Sequence, residues 1–130
     1  MAWTPLEGAA LHVPSGPHLH LFVVLNDPKQ LPGYGQLPQV GLANFSTVPH
    51  NAPYDNTCCF QAGAHPFIQK DSYVYYGDLR IYSVADIVSL VTNGVFKPHP
   101  TNFTQAEVTR IKNGIDFSPR TKRAFKGLGL

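Results

Sequence analysis

Two histidines stand where proton chemistry can be done. His20 sits in "HLHLFVVLND", residues 18–27, and His65 opens "HPFIQKDSYVYYGDLRIYS", residues 65–83. An imidazole with its ordinary pKa of about 6.5 holds or yields a proton near neutrality, which suits a general base or acid. Ser46 and Thr47 carry hydroxyls that can donate to a phosphate oxygen, and Arg80 carries a permanent positive charge. Tyr73, Tyr75 and Tyr76 offer ring faces to unpaired bases, a contact worth roughly 1–3 kcal/mol per stacked base. Together such groups can take up and return a proton and can stabilise negative charge developing on a bound anion.

Each residue also has a plainer reading. His18-x-His20 fits one exposed strand face, and His65-Pro66 fits a tight turn that Pro66 holds extended. Ser46-Thr47 precedes Pro49, where hydroxyls commonly cap turns. Arg80 can pair with Asp78 or Asp71, and tyrosines in a strand pack across it. His18, His20 and His65 lack the ligand spacing of a zinc site, and His12, His50 and His99 receive no role. No cofactor is expected.

The rest of the chain must position these groups. Its 130 residues suit one domain, 1–130, and a hydrophobic content of 43% argues against wholesale disorder. Twelve prolines and 11 glycines favour short strands joined by turns. Residues 1–17 read as an irregular lead-in with room for one short strand. Strands are predicted over 18–27, 39–48, 58–63 and 72–82, the first marked by its unbroken apolar run. The prolines and glycines of 28–38 make a long surface loop. Helices follow over 83–94, capped by Ser83, and 102–114, where Thr104 and Glu107 form a capping box. Strands followed by helices give an α+β, mainly β class.

Charge gathers at one end. Six of the ten basic residues lie in positions 110–130, against the single acid Asp116, so 115–130 is a basic segment suited to phosphate backbones or to solvation alone. Lys70, Arg120, Lys122 and Arg123 are the candidate backbone contacts. The adjacent cysteines Cys58 and Cys59 are poorly placed to bridge each other, and no apolar run approaches membrane-spanning length. With no secretory leader pattern, a cytoplasmic protein with reduced thiols and no membrane partner is expected.

The order of these segments resembles the MazF/PemK-type toxins of toxin–antitoxin systems, small SH3-like β-barrels that cut single-stranded RNA. Asp71-Ser72-Tyr73-Val74 followed by Leu79-Arg80-Ile81 is similar to a family segment. "HLFVVLN", 20–26, has the shape of the family's first core strand, and "LANFST", 42–47, resembles the strand that ends in a Thr or Ser. Phe103-Thr104 opens a terminal helix as in the family, and the likeness spans 18–48 and 66–115. The resemblance implies an SH3-like barrel with one or two C-terminal helices, a homodimer, and an antitoxin that covers the groove. It implies metal-independent endoribonuclease activity, with the family's catalytic Arg falling on His20 and its Thr/Ser on Ser46 or Thr47. His20, Ser46, Thr47, Arg80 and a partnering His65 are then the expected catalytic set. Leu21 stands where the family has Pro, and residues 84–101 exceed the usual connector. A non-catalytic SH3-like module that binds nucleic acid or protein is the alternative, and a partner-binding protein using the aromatic surface is a third reading.

Overall fold

An unbroken apolar strand has to be covered on both faces, and the fold supplies a helix for each. The computed structural model describes residues 3–130. Its elements are β1 (Ala10–Ser15), β2 (His18–Val24), β3 (Gln39–Thr47), β4 (Cys59–Phe60), β5 (Ser72–Ser83), α1 (Val84–Thr92), β6 (Lys97–His99) and α2 (Gln105–Gly114). A single 3-10 turn follows at Arg123–Phe125. The six strands form one antiparallel sheet in the order β4-β5-β3-β2-β1-β6.

Side-chain alternation sends Leu21 and Val23 of β2, with Ala43 and Phe45 of β3, toward Val108 and Ile111 of α2. The alternate residues Phe22, Val24, Val40 and Leu42 meet Ile87 of α1. This two-sided burial explains why β2 and β3 read as continuous apolar runs rather than as alternating ones. Both helices begin where their caps are written. Ser83 accepts from the Asp86 N–H, and Thr104 and Glu107 close a reciprocal capping box.

The class is α+β, and the sheet is open. Its outer strands, β4 and β6, do not pair with each other, so no barrel closes through the ladder. These edges are only two and three residues long, and Pro98 in β6 has no N–H to donate. The lead-in expected over 1–17 contains β1, which pairs with β2 on one side and β6 on the other. Its first two residues lie outside the described ones. The basic segment 115–130 is partly anchored: Phe125 and Leu130 pack against the α2-side core.

Strand β5 carries the sharpest irregularity. Leu42 pairs with Arg80 and Asn44 with Tyr75, so Tyr76–Leu79 bulge opposite the lone Ala43. From this bulge Tyr76 reaches α2 and donates its hydroxyl to the Ile111 carbonyl at 2.7 Å, fully buried. Gly114 lies against that phenol, where an added Cβ would meet the Tyr76 ring at 2.8 Å.

Replacing Tyr76 by Phe strands the Ile111 carbonyl and is expected to cost about 1–3 kcal/mol. Gly114→Ala must also displace the ring, so it is expected to cost more than Tyr76→Phe. Urea denaturation of both variants measures the order.

Candidate functional site: a cleft between parting strands

Strand β3 has two neighbours and follows only one of them to its end. It pairs with β5 from Gln39 to Thr47, but with β2 only at Phe22–Asn44, Val23–Ala43 and Val24–Leu42. Beyond Phe22 and Asn44 the two strands part. The Leu25 N–H donates to the Gly41 carbonyl, and the Val24 N–H to Ala9, so alternate residues of β2 aim their backbone groups at β3. By that alternation the backbone groups of Leu19 on one lip and Thr47 on the other face the opening, where the two strands are no longer paired.

The opening is a cleft of about 520 Å³. His18 and His20 line it from β2, Ser46 and Thr47 from β3, and Lys70 from the segment that leads into β5. Leu19, Phe45, Phe67 and Ile68 give it an apolar wall. Leu19 and Phe67 are 46% and 44% exposed, large apolar surfaces left open at its mouth. A second hollow of about 760 Å³ shares Thr47 and Lys70 with the first and adds His50, so the depression continues past the end of β3. The sequence reading had given His50 and His18 no role of their own.

Strand alternation separates the two hydroxyls. Ser46 shares a sheet face with His20, because Phe22 stands opposite Asn44 and both lie two residues on. Thr47 falls on the other face, opposite Ser72. The register thereby picks out Ser46 as the face-mate of His20.

His65 is not in the cleft, which corrects its expected pairing with His20. Its ring is 2% exposed and stacks on Phe103, with centroids 4.6 Å apart. Nε2 donates to the Thr101 carbonyl at 2.7 Å, and Nδ1 accepts the Phe67 N–H at 3.1 Å. These partners fix the neutral tautomer with its proton on Nε2 and leave no nitrogen for a substrate. His65 is a brace holding the Phe67 side of the cleft to the strand β6 region. His99 lies 4.7 Å from it and His12 a further 5.5 Å along, with His12 also edge-on to Phe67 at 4.4 Å.

Arg80 is likewise engaged. Its Nε and Nη2 donate to Asp78 at 3.0 and 3.2 Å, and its guanidinium lies over the Phe22 ring at 4.7 Å. Burial works against its charge, but the bonds to Asp78 and Tyr82 outweigh this and raise its pKa. Asp78 also accepts from Asn44 at 3.0 Å, so this cluster ties the β5 bulge to β3. The Tyr73 ring stands 5.3 Å from Tyr54, while Tyr75 is 40% exposed beside Gly77. Neither tyrosine lines the cleft, and neither do Arg120, Lys122 and Arg123, which are exposed on the C-terminal segment.

Among the described residues, no three His, Cys, Asp or Glu side chains are placed to share a metal ion. No helix there is long and apolar enough to cross a membrane. Comparison with family models, curated proteins and solved structures finds no match. The reading of the site therefore rests on its own geometry.

His65, buried, and His12, half-buried, give a pH signature. Burial is the main cause that holds the His65 pKa below its ordinary value, helped by His99 and opposed by the Thr101 bond. Burial, then His99, His65 and Lys97, lower that of His12. As pH falls below about 6.5, the unfolded imidazoles take up protons that the folded ones resist. Stability is therefore full above about pH 6.5 and declines below it, a trend that denaturant midpoints at pH 7.5 and 5.0 will record. His65→Asn is expected to flatten it.

Proposed function

We propose that this protein is a metal-independent endoribonuclease of the MazF/PemK-like type, built on a bent SH3-like sheet. It cuts single-stranded RNA as the toxin of a toxin–antitoxin or defence system. The observation that carries this reading is the cleft itself. It gathers His20, Ser46 and Lys70 from three separate segments, and the resemblance would set the family's catalytic Arg at His20 and its Thr/Ser at Ser46 or Thr47.

The chemistry follows from those groups. The His20 imidazole removes the 2′-hydroxyl proton, and the 2′-oxygen attacks the neighbouring phosphorus. The Lys70 ammonium, with the Ser46 hydroxyl, stabilises the negative oxygens of the phosphorane. The P–O5′ bond breaks, leaving a 2′,3′-cyclic phosphate and a 5′-hydroxyl. The continuation of the cleft toward His50 suits a polymer longer than one nucleotide, and the exposed Phe67 face suits a stacked base. In this reading the protein acts in the cytoplasm as a homodimer, and an antitoxin segment silences it by covering the cleft.

One observation favours the non-catalytic alternative. Arg80 is bound to Asp78, and a histidine stands at the family's arginine position, so no arginine lines the cleft. Incubating the purified protein with single-stranded RNA in chelator separates the two readings. Fragments ending in cyclic phosphate are expected, with His20→Ala reducing cleavage about 100-fold or more and Lys70→Ala weakening it less. An intact but retarded RNA band from the unaltered protein would reject cleavage in favour of a binding module.

A further inference from the structure

Six histidines are present, and their surroundings divide them. His12, His65 and His99 form the contiguous ring cluster behind the cleft wall, and His65 and His99 each accept a backbone N–H through Nδ1. His18, His20 and His50 make no side-chain hydrogen bond and no ring contact among the described residues. Two of these unengaged imidazoles, His18 and His20, line one cleft.

Their spacing is the smallest that puts two side chains on one face of a strand. At about 3.3 Å of rise per residue the pair stands about 6.6 Å apart along β2. In-line cleavage places the attacking and leaving oxygens on opposite sides of one phosphorus, and each needs a partner at a hydrogen-bond length of about 2.8 Å. Two imidazoles at that separation can flank a single phosphodiester, whereas adjacent residues would point to opposite faces. Depth distinguishes them. His20 is half-buried on the sheet face that Ser46 shares, while His18 is exposed at the mouth, next to the Gly16-Pro17 turn.

We propose that His18 and His20 act as a general acid–base pair on one strand, His18 protonating the departing 5′-oxygen while His20 takes the 2′-proton. This rests on the ribonuclease reading and supplies the acid that His65 does not. The electron pair of the 2′-oxygen forms the new P–O bond, and the pair of the broken P–O5′ bond receives the His18 proton. The step ends with His20 charged and His18 neutral. Solvent restores both, and His18 stands exposed at the mouth.

The test uses two substrates and the full chain. One is an ordinary single-stranded oligoribonucleotide, and the other has sulfur in place of the bridging 5′-oxygen at the cut. A thiolate leaves without a proton, so it bypasses the acid. Unaltered protein is expected to show a bell-shaped pH dependence of kcat/KM on the ordinary substrate. His18→Ala should lose about 100-fold or more on it, with one limb of the bell gone, yet recover to near the unaltered rate on the sulfur substrate. His20→Ala should be slow on both. Unchanged cleavage and an intact bell in His18→Ala would overturn the pairing alone, and so would equal impairment on both substrates. If the unaltered protein cuts neither, the ribonuclease reading and the pairing fall together.

Discussion

The bulge in β5 is the constraint on which the rest of this molecule depends. Four residues, Tyr76–Leu79, stand against the single Ala43, and a strand bent there cannot lie flat beside its neighbour. The bend sends Tyr76 into α2 and brings Asp78 to Asn44 and Arg80. It also divides the β3–β5 ladder into an inner half at 39–42 and an outer half at 44–47. The β2 pairing runs no further than Asn44, and Phe45–Thr47 go with β5 alone. The cleft is the space that this choice leaves open.

Such a cleft differs from a hollow carved by loops. Its lips are strand backbone held by two ladders, β1–β2 on one side and β3–β5 on the other. Side chains on strands of this kind are fixed by register, so His18, His20 and Ser46 share a face without any hydrogen bond to one another. The third wall, Phe67–Lys70, has no ladder of its own. It is secured by Ile68 in the core, by the backbone bond from Gly63 to Ile68, and by His65 behind it. A neutral imidazole is well suited to that last task, because it donates at one nitrogen and accepts at the other.

Elements whose cause is local were legible in the sequence. The run Leu21–Leu25 announces a buried strand, and Ser83 and Thr104 announce their helices. Elements whose cause is distant were not. "ALHVPS" contains Pro14 and does not alternate cleanly, and it becomes β1 because β2 and β6 flank it. Lys97–His99 is too short to carry a signal and exists as β6 only through its pairing with β1. The same division holds in the site. His20, Ser46 and Thr47 come from the resemblance and Lys70 from its charge, and all four line the cleft. The turn that His65-Pro66 announces is present, closed by the Ile68 N–H on the His65 carbonyl. The ring's partners Thr101 and Phe103 lie more than thirty positions downstream, so its pairing with His20 was misread. His18 was passed over because a His-x-His repeat at a strand start describes a wet face equally well.

The neighbouring thiols Cys58 and Cys59 have a practical consequence. Cys58 is 5% exposed within the α2-side core, whereas Cys59 faces outward from β4, opposite Tyr73. Two chemically identical groups one peptide apart thus differ in reach, and a bulky maleimide dye meets only one of them. The native chain therefore offers a ready attachment point for a single fluorophore, on the short edge strand that flanks the bent one, without any engineered cysteine.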